Sequence, residues 1–113
     1  MYDNENVFAK IIKGTVPSKK IYEDDHVLCF EDIAKSAPVH WLVIPKGKYT
    51  DFSDFTTHSS AEEITNFFQT IAKILNEHGL DKTGYKLLMN TGKDSGQIIF
   101  HFHVHIMASK TSK

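Results

Sequence analysis

The sequence predicts an α+β fold: a five-stranded, mostly antiparallel sheet with one long helix lying on a face and one short helix near the start. Two observations predict it. Ile64, Phe67, Phe68, Ile71 and Leu75 form an apolar stripe at helical spacing over the longest unbroken segment. Around that segment stand short runs of β-branched and aromatic residues, bounded by Asp, Gly and Pro.

Taken in order, Asn6 to Lys13 carries Val7, Phe8, Ile11 and Ile12 on one side and stops at Gly14, with Pro17 just beyond, which predicts the short helix. Lys20 to Glu23 and His26 to Glu31 flank Asp24-Asp25 and read as a hairpin. Pro38 to Pro45 is a third strand, closed by Pro45 and Gly47, and residues 46 to 58 read as polar loop. Ser59 or Ser60 opens the long helix, with Glu62 or Glu63 three residues on as in a capping box, and Gly79 ends it after His78. The Phe67-Phe68 pair belongs to its core face. Tyr85 to Asn90 and Ile98 to Met107 are the fourth and fifth strands, joined by the glycine-bearing loop TGKDSGQ.

At 113 residues the chain holds one domain, spanning 1–113, with no repeat or linker. Lys plus Arg number 13 against 14 for Asp plus Glu, so no bulk positive field exists to hold a nucleic acid polymer, although a small anionic ligand needs only local donors. The opening MYDNENVFAKIIKG lacks a basic signal region, and no apolar run reaches membrane-spanning length, so no membrane partner and a cytoplasmic location are expected. Cys29 is the only cysteine. Within VLCF it reads as a small buried hydrophobe, and it leaves no internal disulfide or cysteine zinc knuckle.

Three of the seven histidines recur two residues apart in HFHVHIM. On an extended strand His101, His103 and His105 share one face and Phe102, Val104 and Ile106 the other, with neighbouring histidine Cα atoms roughly 7 Å apart and the outer two roughly 14 Å. Solvated histidines are the plain reading of one such residue, and strict alternation of three argues for a shared purpose. A zinc ion could take two of them, but the outer pair is at or past the reach of one ion, and no acid or cysteine flanks the run. The third reading is nucleophilic chemistry at phosphorus: neutral imidazole offers a lone pair without a base, and its neighbours can hold phosphate oxygens and move a proton. The preceding SGQ turn has N–H groups that could also face a phosphate.

HFHVHIM fits the pattern His-φ-His-φ-His-φ-φ, φ being apolar, and preceded by NTGKDSGQ it resembles the histidine triad family, in its nucleotide-binding Hint-like branch. VFAKIIKGTVPSKKIYEDD, CFEDI and APVHWLVIPK extend the resemblance, in order, over nearly the whole chain up to Met107. It implies a homodimer joined through the long helix and a strand into a continuous ten-stranded sheet. It implies hydrolysis of purine nucleoside phosphoramidates and aminoacyl adenylates, with His103 attacking the α-phosphorus and carrying the nucleotide. His101 and His105 would steady the phosphate and nucleophile and share in proton movement, and His40 would back the triad. Read alone, His40 is an ordinary strand histidine. The resemblance further implies Asp32 as the ribose ligand, Phe30 and Ile33 beside the base, Phe8 and Ile11 closing the base slot, and Asn90, Gly96 and Gln97 near sugar, phosphate and leaving group. Read alone, Asp32 is a turn residue. Ile98 departs from the polar residue that close relatives often carry after Gly-Gln, and NVFAK replaces the zinc-binding cysteines of some bacterial members. Structural zinc is therefore not expected, and the implied scheme requires no metal or organic cofactor. A dinucleoside polyphosphate hydrolase of the Fhit-like branch, and a nucleotide-binding regulatory protein with weak turnover, are the alternatives.

Overall fold

The computed structural model describes residues 1–111. Its first helix, α1, spans Val7–Lys13; the Asn6 side chain accepts from the Ala9 N–H at 2.9 Å, and Gly14 closes it in the left-handed region at φ 85°. Strands β1 (Lys20–Glu23), β2 (Val27–Glu31) and β3 (Val39–Pro45) follow, then helices α2 (Phe52–His58), α3 (Ala61–Glu77) and α4 (Leu80–Thr83). Strand β4 (Lys86–Leu88), a short 3-10 turn at Lys93–Ser95 and strand β5 (Val104–Ala108) complete the order. The five strands form one sheet in the order β1-β2-β3-β5-β4, every neighbouring pair antiparallel, as the sequence predicts.

Alternation along the strands gives the sheet two buried faces. Val27, Cys29, Trp41, Val43, Val104 and Ile106 point to one face and pack with Phe67, Ile71, Ile74 and Leu75 of α3. Burying each of these large side chains contributes about 1.5–3 kcal/mol, so this face holds α3 in place. Leu28, Phe30, Leu42 and Ile44 point to the other face and meet Phe8 and Ile11 of α1. Thus α1 covers the face that α3 leaves open, and the histidines lie on that second face.

The reading of 46–58 as loop is corrected: Phe52–His58 is helix. Its composition is polar, yet Asp51 caps it by accepting from the Asp54 N–H at 2.8 Å, and Phe55 is wholly buried, stacked on Phe102 at 4.9 Å. One buried aromatic decides the element where periodicity is too short to show. The four-residue α4 was likewise unread. Ser60 is the cap of α3, accepting from the Glu63 N–H at 3.0 Å, while the Glu63 carboxylate accepts from the Tyr49 hydroxyl rather than turning back. The fourth strand is shorter than expected.

The fifth strand is corrected more consequentially. The sequence predicts it from Ile98, but the ladder begins at Val104, where β5 pairs with Val43 of β3. Pro45 has no N–H to extend that ladder. The chain before Val104 bonds elsewhere: the Phe102 N–H donates to Tyr49 O at 2.7 Å, and the Gln97 side chain donates to Thr50 O at 2.8 Å. His101 and His103 therefore lie outside the sheet's ladder, and only His105 is on the strand.

Candidate active site

His101, His103 and His105 have three different environments. His103 is buried, and its Nδ1 lies 2.7 Å from the carbonyl oxygen of His101. A carbonyl only accepts, so Nδ1 carries the hydrogen and Nε2 the free lone pair. Burial lowers its pKa, partly opposed by that hydrogen bond and the Asp32 charge, so the ring is neutral at pH 7. The Phe8 ring meets it edge to face at 5.0 Å.

His101 has no exposed surface. Its Nε2 donates to Pro45 O at 2.7 Å, and its Nδ1 is 2.6 Å from the Tyr2 hydroxyl, which must then donate. Burial pushes its pKa down to about 4. With both nitrogens engaged, His101 positions its neighbour through its carbonyl and has no free nitrogen for a phosphate or a proton. The expectation that it shares in phosphate binding and proton movement is corrected for that reason.

His105 is tied to the neighbouring strand. Its Nδ1 lies 2.8 Å from Nε2 of His40, whose own Nδ1 accepts the Ser36 N–H at 3.0 Å. That backbone donor places the His40 hydrogen on Nε2, which donates to His105 Nδ1. Neutral His105 therefore holds its hydrogen on Nε2, as a donor. Burial, with smaller contributions from the His103 and His40 charges, lowers the His105 pKa to about 4. The His105 and His103 rings are 5.1 Å apart.

Asp32 joins these rings to a cavity. Its Oδ2 lies 3.3 Å from His40 Nε2, and its Oδ1 accepts from the Ala34 N–H at 2.9 Å, so the turn role is real as well. The cavity, of about 550 Å³, is lined by Phe8, Ile11, Phe30, Asp32, Ile33 and Leu42 among others. The histidines do not line it. They adjoin it through Asp32, through Phe8 against His103, and through Leu42, the register partner of His105. Phe8, Ile11 and Phe30 are buried, serving core and cavity together, and Ile33 is 96% exposed at the rim. The Ser18 hydroxyl, in the same wall, is buried with no hydrogen-bond partner among the described residues.

Asn90, Gly96 and Gln97 stand apart from this lining. Gln97 is a brace: its amide donates to Thr50 O and Ile99 O and accepts from the Gly92 N–H. The N–H groups of Ser95, Gly96 and Gln97 donate to Gly92 O, Lys93 O and Gly92 O within the turn itself. The phosphate-facing reading of SGQ is corrected accordingly, since the turn takes up its own donors.

Asp32, His40 and His105 offer ligand atoms within 4.8 Å of one another, a spacing a small cation could occupy. The tautomers oppose it. His40 would have to coordinate through Nε2, the atom that the Ser36 N–H leaves protonated, and His101 has no nitrogen to add. The His40 hydrogen goes to His105 Nδ1 instead.

Sequence reasoning missed Tyr2, the Pro45 carbonyl and the Ser36 N–H. The last two are backbone groups, invisible in residue types, and Tyr2 belongs to an opening segment without periodicity. His78, which the sequence marks only as the end of α3, packs at 4.7 Å on Trp41, a residue of the α3 face.

Comparison with known proteins agrees with the sequence resemblance. An uncharacterised HIT-like protein of Rickettsia prowazekii is 56% identical over 110 residues, covering 97% of this chain and 92% of that protein. Purine nucleoside phosphoramidase of Escherichia coli is 34% identical over 106 residues, 94% of this chain and 88% of that one. Among solved structures, a histidine triad protein from Clostridium difficile superposes with a TM-score of 0.84 at 40% identity, covering 97% and 95% of the two chains. A HIT family hydrolase from Clostridium thermocellum gives 0.85 at 34%, covering 95% and 92%. With the HIT domain profile matching residues 13–112, the triad and the fold that presents it belong together: this chain is a member of the HIT domain family.

Proposed function

We propose that the chain is a nucleotide-binding hydrolase that cleaves the P–N bond of purine nucleoside 5'-phosphoramidates, and the acyl-phosphate bond of aminoacyl adenylates, through a nucleotidyl-His103 intermediate. The observation that carries this reading is the 2.7 Å bond from His103 Nδ1 to His101 O, which leaves a fixed lone pair on Nε2 beside a donor-bearing His105. The activity of the Escherichia coli relative supports the substrate class. An apolar cavity with one carboxylate at its edge suits a base on Phe8, Ile11, Phe30 and Ile33, with Asp32 accepting from ribose hydroxyls. Gln97 acts in this reading as a brace for the connection ahead of the triad, through Thr50 O and Ile99 O.

In this scheme His103 Nε2 attacks the α-phosphorus, and the P–N electron pair leaves with the amine. The anionic phosphate raises the His105 pKa back toward neutral pH; as the His40 Nε2–H turns to Asp32 Oδ2, 3.3 Å away, His105 takes up a proton at Nδ1 and gives its Nε2–H to the departing nitrogen. Water then attacks phosphorus, breaks the P–Nε2 bond and returns a proton to His105, with His40 orienting that ring. No metal or organic cofactor enters the scheme. We further propose a single domain over 1–113 that works as a homodimer in the cytoplasm. Leu87 and Leu88 of β4, with Tyr85 and Met89 just beside it, are exposed and apolar at one of the sheet's two outer edges, which supports pairing of that edge with a second copy. No helix among the described residues is long and apolar enough to cross a membrane.

The test is amine release from a fluorogenic adenosine phosphoramidate with chelator present, comparing the native chain with His103→Ala and His103→Gly. Turnover that survives the chelator and drops at least about a thousandfold in both variants supports the scheme. A native chain that binds nucleotide without turnover overturns it in favour of a regulatory binder.

A further inference from the structure

We propose that Tyr2 is a positioning residue for the nucleophile: its hydroxyl fixes His101, and His101 in turn aims His103. The inference rests on the reading of His103 as nucleophile, and it comes from outside the family match, which begins at residue 13.

Three hydrogen bonds form one chain of command. The Tyr2 hydroxyl donates to His101 Nδ1 at 2.6 Å, His101 Nε2 donates to Pro45 O at 2.7 Å, and His101 O accepts from His103 Nδ1 at 2.7 Å. Each bond constrains the next. The Pro45 carbonyl can only accept, so His101 must keep its hydrogen on Nε2 and present a lone pair at Nδ1. In a fully buried ring that lone pair needs a donor. Tyr2 is the donor the structure supplies, and burial raises its pKa, keeping the phenol protonated.

The local backbone delivers Tyr2 to this place. Asp3 O accepts from both the backbone N–H and the side-chain amide of Asn6, at 3.1 and 2.7 Å, forming a turn directly ahead of α1. Asn6 then caps α1, and Phe8 of its first turn lies edge to face against His103 at 5.0 Å and His101 at 6.3 Å. The Tyr2 ring meets His101 at 5.6 Å. Without the hydroxyl, His101 is held only at Nε2 and can rotate or change tautomer, and the carbonyl on which His103 depends shifts with it. A displacement well under 1 Å is enough to lower the rate of an attack that needs alignment. Tyr2 does not line the nucleotide cavity, so its loss falls on the chemical step and not on binding.

The experiment compares Tyr2→Phe, which removes only the oxygen, with Tyr2→Ala, which removes the ring as well. Each is measured for kcat and KM on the adenosine phosphoramidate, and for imidazole nitrogen and N–H resonances of His101 and His103. Expected for Tyr2→Phe is a kcat about tenfold lower with KM within twofold, close to Tyr2→Ala, together with a His101 Nδ1 resonance moved toward the free lone-pair position and a weakened His103 Nδ1–H signal. Native kcat in Tyr2→Phe with loss only in Tyr2→Ala makes Tyr2 a packing residue and overturns the proposal, as does a rise in KM alone. If the native chain turns over no phosphoramidate, the functional reading fails separately. The resonances then decide: unchanged His103 signals in Tyr2→Phe refute the positioning role, and altered ones sustain it.

Discussion

Acidification between pH 6.5 and 4.5 is expected to destabilise the folded chain through His101. In the unfolded chain its imidazole titrates at the ordinary 6.5, and in the folded chain burial pushes it to about 4. The unfolded state therefore binds the proton first as pH falls, and stability drops across that window. At pH 4.5 the difference amounts to about 2.5 kcal/mol, since each pKa unit is worth about 1.4 kcal/mol. For a domain of this length that is a loss of roughly 10 °C in Tm. His105, whose pKa is also lowered to about 4, acts in the same direction. The carboxylates behave differently: Glu23, Asp24 and Asp54 have lowered pKa values, and their contribution is lost only below the ordinary 4.5 and 3.8. Thermal melts at pH 7.0, 6.0, 5.0 and 4.5 separate the two groups when the native chain is compared with His101→Gln, whose amide can still donate to Pro45 O and accept from Tyr2. The native curve should fall more steeply between pH 6.5 and 4.5. Parallel curves, or a native loss confined below pH 4, would refute the assignment of a buried neutral His101.

Ser18→Ala should leave Tm unchanged or raise it, because it deletes a buried hydroxyl that has no partner and whose desolvation costs about 1–3 kcal/mol; a drop of several degrees in a thermal melt would mean that the hydroxyl is bonded in solution. Leu87→Glu puts a charge on the exposed apolar edge of β4, and sedimentation should show a dimeric native chain becoming monomeric with its fold intact. A native chain that sediments as a monomer at micromolar concentration would sink the dimer proposal.

The elements legible in the sequence were those whose pattern is long or locally punctuated. The stripe from Ile64 to Leu75 predicts α3, Asn6 and Gly14 bracket α1, and the β1–β2 turn rests on Asp24, whose carboxylate accepts from the His26 and Val27 N–H groups at 2.7 and 2.8 Å. Helix α2 was not legible because its stability depends on Phe55 meeting Phe102, residues 47 positions apart in the chain. The length of β5 was not legible because the chain before Val104 gives its hydrogen bonds to Tyr49, Thr50 and Pro45, from a connection that composition shows only as polar. At the site, the identity of the histidines could be read, and so could the side of the sheet they share, since Phe102, Val104 and Ile106 do pack on the α3 face. Their tautomers could not, because two of the groups that set them are backbone atoms of Pro45 and Ser36.

Those tautomers explain why the spacing of two matters even though two of the three histidines are not in the ladder. His103 bonds to the carbonyl of the residue two before it, a contact that an extended backbone brings within reach of a side chain curling back along its own strand. Shifting His103 by one residue would send its ring to the α3 face, among Phe102, Val104 and Ile106. His105 continues the alternation onto β5 proper, where antiparallel pairing sets it against Leu42 and within 2.8 Å of His40 on the adjacent strand. One face thus receives three identical rings and assigns them different hydrogens: Nε2–H on His101 toward Pro45, Nδ1–H on His103 toward its own chain, and Nε2–H on His105 by way of His40. Of the three rings, His103 alone has a lone pair that no donor among the described residues claims. In the proposed phosphorus chemistry the repeated residue supplies the candidates, and the unlike partners of each ring would select which of them attacks.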